Sequence, residues 1–377
     1  MKRREFLLHL SSAIPAASLL AVASRSARSA SPFAEPPPPL GSGWRIFEIE
    51  TTVEITEPAG RTLLWIPLPA SARTDYQRLL DMKWTAASEG AQAEHFTAPG
   101  YDVSMVCVEW TDPKSVGPVT VTTRVATRDR EVAVANSKAP TQSPESRATL
   151  QTYLRPTKLL PTDGIVKETA EKITRGAHGD VEKARALYEW VVVNTSRDPK
   201  TPGCGLGDVA SLLKSGYLGG KCADLNGLFV AMCRSLKIPA RDSYGVRVAD
   251  SQRGYKCLGK SGDISKAQHC RAEFYTAGLG WVPVDPADVR KLILEEPPGN
   301  LTLQDAKVQT AREALFGGWE MNWIVYNHGH DVALPKSRGL PASFLMYPNA
   351  ETAEGRLDSL NPATFRYAIH SREVEPT

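Results

Sequence analysis

The stretch Gly219-Gly220-Lys221-Cys222-Ala223-Asp224-Leu225-Asn226 sets a cysteine shortly after two glycines. The apolar residues that follow recur at helical spacing and are Leu225, Leu228, Phe229, Met232 and Leu236. Pro239 marks the stop, so we predict a buried helix whose first turn begins at Cys222 or one residue later. A helix start favours a thiolate, the nucleophilic form of cysteine. Cys222 is therefore a candidate nucleophile, although a cysteine taken alone is more often a small core residue, as we expect for Cys233.

A histidine follows 47 residues later, in a segment that alternates between two faces. One face carries His269, Arg271, Glu273 and Tyr275, and the other carries Cys270, Ala272 and Phe274. This period of two predicts a strand with a packed face and a polar face. A histidine on a polar face is by itself usually just exposed, so its role depends on its neighbours.

The third candidate is Asp285, on a second strand that the Ala277–Gly280 turn joins to the first as a hairpin. A four-residue loop would put Asp285 opposite Ala272, on the wrong face of the sheet. A five-residue loop, or one bulge, would put it opposite Arg271 and diagonal to His269. A role beside the imidazole requires the second register, because Asp285 could then hold one ring nitrogen and leave the other free.

Three separated motifs in this order resemble the core of the transglutaminase-like superfamily. They are Gly220-Lys221-Cys222-Ala223-Asp224 followed by Lys237-Ile238-Pro239-Ala240-Arg241, then His269 with Glu273, then Trp281 with Asp285-Pro286. The resemblance covers roughly residues 150–290 and implies a papain-like α+β fold. It implies Cys222 as nucleophile, His269 as general base and Asp285 as the residue that orients the imidazole. Many relatives have an aromatic residue two positions after the histidine, where this chain has Arg271, which leaves the shape and polarity of the substrate cleft open.

A zinc site is the competing chemical interpretation, since Cys222, Cys257, His269 and Cys270 include soft ligands. The chain has no C-x-x-C pair, and His269 and Cys270 point to opposite faces of the predicted strand. Calcium binds some eukaryotic relatives, but the sequence lacks an acidic Asp-x-Asp-x-Asn loop. We therefore expect no bound metal and no cofactor.

Other segments near the motifs receive structural interpretations. Helical spacing predicts helices over 164–175 and 181–193, and Trp190 on the second is expected in the core. His328 and His330 alternate as on a strand and could line a cleft, but we expect them in a surface loop. Residues 344–347 are predicted to form a strand within an otherwise irregular C-terminal region.

The length of 377 residues predicts two or three domains. Short runs with β-branched residues at 44–50, 62–66, 103–108 and 119–125 indicate a β-sandwich-like N-terminal domain over 44–135, which supports the site or orients substrate. The transglutaminase-like core is assigned to 145–295, and 296–377 is predicted to be an extension packed on the other domains. Residues 31–43 are rich in proline and predict a stiff linker.

The first 30 residues are typical of an export signal of the twin-arginine type. Arg3-Arg4-Glu5-Phe6-Leu7 precedes a mildly apolar run, and small residues near Ala23 or Ala30 offer cleavage sites. The net charge of the whole chain is +3, and this segment alone carries +4. The remaining residues therefore carry a net charge of −1, which argues against nucleic acid as a partner. We predict a periplasmic or secreted protein with no stable membrane span after signal removal.

These observations together predict an exported cysteine enzyme that hydrolyses or exchanges amide bonds through a thioester. Its expected substrate is a peptide or protein, and a cell-wall peptide is one option. A catalytically inactive binding module of the cell envelope is the alternative. Six cysteines are too few for a disulfide scaffold. Cys204, Cys257 and Cys270 are the cysteines expected to meet, and the sequence leaves their pairing and the oligomeric state open.

Overall fold

A computed structural model of the protein describes residues 40–134 and 144–375. The helices are α1 Arg147–Thr152, α2 Gly164–Ile173, α3 Gly179–Asn194, α4 Val209–Ser215, α5 Cys222–Ser235, α6 Pro286–Glu295 and α7 Ala306–Ala314. The strands are β1 Arg45–Ile55, β2 Thr62–Pro67, β3 Gln77–Ala86, β4 Gln92–Ala98, β5 Val103–Trp110, β6 Val119–Thr127, β7 Arg130–Glu131, β8 Ser196–Arg197, β9 Gly219–Gly220, β10 Ala240–Arg247, β11 Gly262–Asp263, β12 Gln268–Thr276, β13 Gly280–Val284, β14 Gly318–Trp319, β15 Trp323–Asn327, β16 Asn349–Thr352, β17 Gly355–Arg356 and β18 Phe365–Val374. The predicted signal and linker residues 31–39 lie outside the described residues.

Two five-stranded antiparallel sheets form a sandwich, with strand orders β11-β18-β1-β6-β3 and β17-β16-β2-β5-β4. Their inner faces share one apolar cluster, to which Met82, Trp84 and Phe365 contribute from the first sheet and Leu64 and Trp110 from the second. The alternation that predicts strands in this region produces this pattern, because every second side chain points inward. The β-rich N-terminal region is confirmed as antiparallel sheet.

A four-stranded antiparallel sheet, in the order β13-β12-β10-β15, carries the helices of the second half of the chain. Helix α5 packs on β12 and is buried on nearly every side, with Phe229 and Met232 fully enclosed. It ends where Lys237 adopts a left-handed conformation just before Pro239 (φ 66°). The apolar side chains on one side of α3 are also buried, as at Leu187 and Tyr188. Helix-bearing and sheet-only regions together confirm the predicted α+β class.

The C-terminal region is more regular than the sequence suggests. It contains α7 and five strands, and both β16 and β18 join the sandwich, β16 beside β2 and β18 beside β1. The strand predicted over 344–347 is wrong, since the nearest strand is β16, two residues further on. Aromatic side chains in 344–347 pack instead against Tyr244 and one another, which explains their apolar character without a ladder.

Another apolar cluster joins the sandwich to the four-stranded sheet. Phe47 and Ile369 of the sandwich contact Val246, Ile324 and Tyr326 of the other sheet. Strand β12, beside β10 in the same sheet, is buried along its length except at Gln268, which is partly exposed. Among the described residues, no helix has both the length and the apolar character needed to cross a bilayer.

Candidate active site

Cys222 is the first residue of α5, with Lys221 at the N-cap position. The carboxylate of Asp224 accepts the backbone N–H of Lys221 at 2.9 Å, one of the hydrogen bonds that a helix start lacks from its own carbonyls. A side chain at position 220 would place its Cβ 2.6 Å from that carboxylate, so glycine is required there. The Gly-Lys-Cys-Ala-Asp sequence therefore builds this helix start with the cysteine at its tip.

The glycine-rich turn 203–208 lies against the same helix start. Its Leu206 and Gly207 N–H groups donate to Asp224 at 3.1 and 2.9 Å, and the carbonyl of Cys204 accepts the N–H of Ala223 at 2.9 Å. Gly205 has φ 91° and a Cβ there would sit 1.9 Å from the Asp224 carboxylate. The turn and the start of α5 thus form one hydrogen-bonded unit around Cys222.

His269 and Asp285 meet on adjacent strands, since His269 Nε2 lies 2.7 Å from Asp285 Oδ2. Strands β12 and β13 pair Tyr275 with Trp281 and Ala272 with Val284, so the next residue, Asp285, comes opposite Arg271. This is the register that the sequence argument requires. The loop is three residues long rather than five, because Thr276 and Gly280 add one more pair to the hairpin. Loops of three and of five residues give the same strand pairing here, so Asp285 stays opposite Arg271.

Asp285 also begins a helix. Its other carboxylate oxygen accepts the N–H of Asp288 at 3.0 Å, which makes it the N-cap of α6, with Pro286 in the first helical position. The same oxygen lies 3.2 Å from the amide nitrogen of Asn226, which also donates to the Cys270 carbonyl at 2.8 Å. One carboxylate therefore joins β13, α5 and α6 while it holds the imidazole.

A second carboxylate reaches the same imidazole nitrogen. Asp288 lies 3.3 Å from His269 Nε2 and forms an ion pair with Arg247 at 2.6 Å. On the other side, Arg271 Nε lies 3.5 Å from Asp285. The carboxylates and the imidazole lie close enough together to hold a metal ion, but two guanidinium groups already balance the two carboxylates. Arg271 thus lies beside the aspartate, and it also lines a cavity together with Asp288 and Glu320.

The environment lowers the pKa of the Cys222 thiol well below its ordinary value. Hydrogen bonds from the thiols of Cys204 and Cys270 are the main causes, and the His269 ring adds a hydrogen bond and its charge, which together outweigh burial. Burial and Arg247 lower the pKa of His269, but the charges of Asp288 and Asp285 raise it above its ordinary value. Opposite shifts of this kind favour a thiolate beside an imidazolium.

Cys222 is 4% exposed and belongs to the apolar cluster of the helical half, but its thiol also interacts with the His269 ring and with the thiols of Cys204 and Cys270. Two of the three cysteines expected to meet, Cys204 and Cys270, contact it. Cys257 instead lies beside Glu296, whose carboxylate accepts its N–H at 3.0 Å. Cysteines of the described residues are all free, and Cys233 is a fully buried core residue as predicted.

The polar face of β12 is buried, which the alternation alone does not predict. Glu273 has no exposed surface and is held by ion pairs with Arg130 and, at 2.7 Å, with Arg241. These guanidinium charges lower the pKa of Glu273 despite its burial. The face needs charged residues because it packs against other charged side chains rather than water.

His328 and His330 follow β15 in a loop, but the expectation that this loop lies at the surface is wrong. His330 is buried and lies 2.9 Å from the Asp242 carboxylate, and His328 contacts the Asp242 carbonyl at 3.0 Å and the Ser243 hydroxyl at 3.1 Å. Burial lowers the pKa of His328 to about 3. Both histidines therefore belong to a buried polar network next to β10.

Trp190 is half-buried against the helical core, in line with its predicted role.

Sequence reasoning missed Asn226, Asp288, Arg247 and Cys204 as parts of this site. A signal existed for two of them. Asn226 lies one helical turn after Cys222, and Asp288 lies three residues after Asp285 at a helix start, so both spacings place a side chain beside a candidate. Arg247 and Cys204 come from a separate strand and turn, which no local spacing relates to the motifs.

A cysteine at a helix start, facing a histidine that an aspartate holds on the next strand of an antiparallel sheet, defines a papain-like α+β arrangement. The family described as "Transglutaminase-like superfamily" matches residues 167–286. A Haemophilus influenzae protein named "Uncharacterized protein" is 34% identical over 347 residues, which cover 87% of this chain and 92% of that protein. The chain belongs to the transglutaminase-like superfamily, which includes cysteine peptidases and transglutaminases.

Two solved structures are also similar to this chain. A "Putative Cysteine Protease" from Cytophaga hutchinsonii is 15% identical, with 89% of this chain and 93% of that chain covered and a TM-score of 0.54. The periplasmic domain of TgpA from Pseudomonas aeruginosa is 13% identical, with 73% and 94% covered and a TM-score of 0.35. The first likeness extends the shared fold beyond the family core into the sandwich.

Proposed function

We propose that the protein is a cysteine-dependent amide hydrolase or acyltransferase that acts through Cys222, His269 and Asp285. The observation that carries this proposal is the contact between a helix-start sulfur of lowered pKa and an imidazole whose other nitrogen is held by Asp285 at 2.7 Å. Because Nε2 faces the carboxylates, Nδ1 is the nitrogen that serves the sulfur. This arrangement supports a nucleophile, a proton carrier and a residue that fixes the ring.

The reaction begins when the Cys222 thiolate attacks an amide carbonyl. The backbone N–H of Cys222, free at the helix start, is suited to donate to the developing oxyanion. His269 gives its Nδ1 proton to the leaving amine, and a thioester remains on the sulfur. Water, activated by the now neutral imidazole, then hydrolyses the thioester, or a primary amine takes the acyl group.

We favour hydrolysis slightly over transfer, since transfer needs a second site that selects an amine over water. The substrate class is a peptide or protein, with cell-wall peptide included, and the place of action is the periplasm or the exterior. The location rests on the paired arginines and apolar run at the N-terminus. The catalytic residues, the domain limits at 44–135, 145–295 and 296–377, and the export route are parts of the same proposal.

The decisive experiment is mass spectrometry of peptide mixtures incubated with the protein, with and without a primary amine. Hydrolysis gives cleaved or deamidated peptides, and transfer gives amine adducts. Cys222→Ala should abolish every one of these signals. Product formation that persists in this variant would contradict the proposal.

A second measurement separates an enzyme from an inactive binding module. Cys222 is buried whereas Cys257 is half-buried, so simple access predicts faster alkylation of Cys257. A thiolate at Cys222 predicts the reverse order, because burial raises the pKa of the Cys257 thiol. Slower labelling of Cys222 than of Cys257 by iodoacetamide at neutral pH would favour the binding module.

A further inference from the structure

A second thiol lies beside the proposed nucleophile, and the amide chemistry does not use it. Cys204 is 6% exposed and its sulfur donates to the carbonyl of Gln268 at 3.3 Å. Its side chain interacts with that of Cys222, and the Cys222 sulfur lies 4.0 Å from the Cys204 carbonyl oxygen. Two interacting thiols at the start of a buried helix form a distinct chemical group.

The backbones of the two residues are also close enough to be bridged. The Cys204 carbonyl accepts, at 2.9 Å, the N–H of the peptide group that joins Cys222 to Ala223. A single hydrogen bond therefore separates the peptide units attached to the two α-carbons. Such spacing brings α-carbons to about 6 Å, within the range of about 4.4 to 6.8 Å that a disulfide needs.

We propose that Cys204 is a resolving cysteine that forms a reversible disulfide with Cys222 in the presence of peroxide. This proposal rests on the proposed function in one respect only, that the disulfide blocks the amide chemistry by occupying its nucleophile. The reactant is hydrogen peroxide or an alkyl hydroperoxide, which is small enough to reach a nearly buried sulfur.

The two steps balance with peroxide as the oxidant. The Cys222 thiolate attacks one peroxide oxygen, an S–O bond forms, the O–O bond breaks, and hydroxide leaves to become water or, from an alkyl hydroperoxide, alkoxide leaves to become an alcohol. The Cys204 sulfur then attacks the sulfur of the sulfenic acid, an S–S bond forms, and the S–O bond breaks. The departing hydroxide takes the Cys204 proton as a second water. Two thiols lose two electrons, and one peroxide gains them.

The charge distribution agrees with this division of roles. The interaction between the two thiols raises the pKa of Cys204 and lowers that of Cys222. The thiolate needed for the first step is thus on Cys222, and the proton needed by the leaving hydroxide in the second step is on Cys204.

Cys270 also contacts Cys222, but it is a poorer partner for a disulfide. It lies on β12, which is hydrogen-bonded on both edges to β10 and β13, and it has no exposed surface. Cys204 lies in the turn that contains Gly203 and Gly205, whose φ angles are 53° and 91°. A short turn can move its Cα toward Cys222, whereas a central strand resists such movement.

The test treats the reduced full-length protein with hydrogen peroxide, traps free thiols with iodoacetamide and maps the peptides by mass spectrometry. We expect linked peptides containing Cys204 and Cys222, with full recovery of iodoacetamide reactivity and of amide chemistry after dithiothreitol. In Cys204→Ser the sulfenic acid loses its resolving partner, so Cys222 should pass to sulfinic acid and recover to less than about one-tenth. Each variant is compared with its own untreated activity, and Cys257→Ser serves as the matched control that should behave as the wild type.

Two results would overturn the proposal. One is a link between Cys222 and Cys270 in the wild type, and the other is equal over-oxidation of Cys222 in the wild type and in Cys204→Ser. If the variant fails to fold, the peptide map of the wild type alone decides. A protein that forms the Cys204–Cys222 link but has no amide chemistry when reduced would keep this proposal and reject the proposed function.

Discussion

Replacing Asp285 with asparagine should reverse the hydrogen bond that holds His269. One Asp285 oxygen accepts from the Asn226 amide at 3.2 Å and from the Asp288 N–H at 3.0 Å, so the new carboxamide must keep its oxygen on that side. Asn226 cannot turn over to relieve this, because its amide nitrogen also donates to the Cys270 carbonyl. The NH2 group of the variant would therefore face His269 Nε2.

That NH2 group requires Nε2 to accept a hydrogen bond, so the ring proton moves to Nδ1 and the imidazolium is lost. Burial and Arg247 then lower the pKa of His269, with only Asp288 left to raise it. One charge-assisted hydrogen bond contributes about 1.5 to 3 kcal/mol. If that energy is lost from the thiolate–imidazolium pair, the reactive form falls by about 10- to 150-fold.

The assay is the rate of iodoacetamide labelling at Cys222, measured at about pH 6, where an ordinary thiol is almost fully protonated. Asp242→Asn is the matched control, since Asp242 is buried and holds His330 at 2.9 Å in a separate His–Asp pair. Both variants should lose stability to urea, but only Asp285→Asn should lose labelling of Cys222. Equal labelling rates in the two variants would refute the reasoning.

Two further predictions concern the sulfur and the turn beside it. Labelling of Cys222 should titrate well below the ordinary thiol pKa, and its midpoint should rise in His269→Ala, although Cys204 and Cys270 still lower the pKa in that variant. Amide turnover in the wild type should decline as pH rises through the raised pKa of His269, because the leaving amine then has no proton donor. A labelling profile unchanged by His269→Ala would count against the pair. The free energy of unfolding of Gly205→Ala, measured in urea, should be lower than that of Gly216→Ala by more than about 1 kcal/mol. Both variants place alanine at a left-handed φ, but only the one at Gly205 forces a Cβ into the Asp224 carboxylate. Equal urea midpoints would show that the turn accommodates the extra carbon without cost.

The parts of the fold that the sequence predicts are those with local signals. The glycine pair and the apolar spacing after Cys222 predict where α5 begins. The possible lengths of the hairpin loop place Asp285 opposite either Ala272 or Arg271. The burial of Glu273 could not be predicted, since it depends on Arg130 and Arg241, which come from distant parts of the chain. The same holds for Cys204, whose turn reaches the helix start only through the Asp224 hydrogen bonds.

The histidines near the C-terminal region show the opposite error. His328 and His330 alternate as residues of a strand would, and their polarity alone favours a surface loop. The structure instead supplies the Asp242 carboxylate and carbonyl as partners from β10, and a buried polar group is stable where such partners exist. Partners of this kind are set by strand order, which a single sequence does not specify.

The pairing of β1 with β18 has a consequence for how the chain folds during synthesis. Arg45 and Glu373, which are 328 positions apart in the sequence, form an ion pair between β1 and β18. Strand β1 lies between β6 and β18, so one of its edges stays unpaired until residues 365–374 have emerged from the ribosome. The sandwich must therefore wait for almost the entire polypeptide, and its closure is a late event governed by contacts remote in sequence. A nascent chain halted before that final strand would carry an open edge, the kind of surface that chaperones bind and that aggregation begins from.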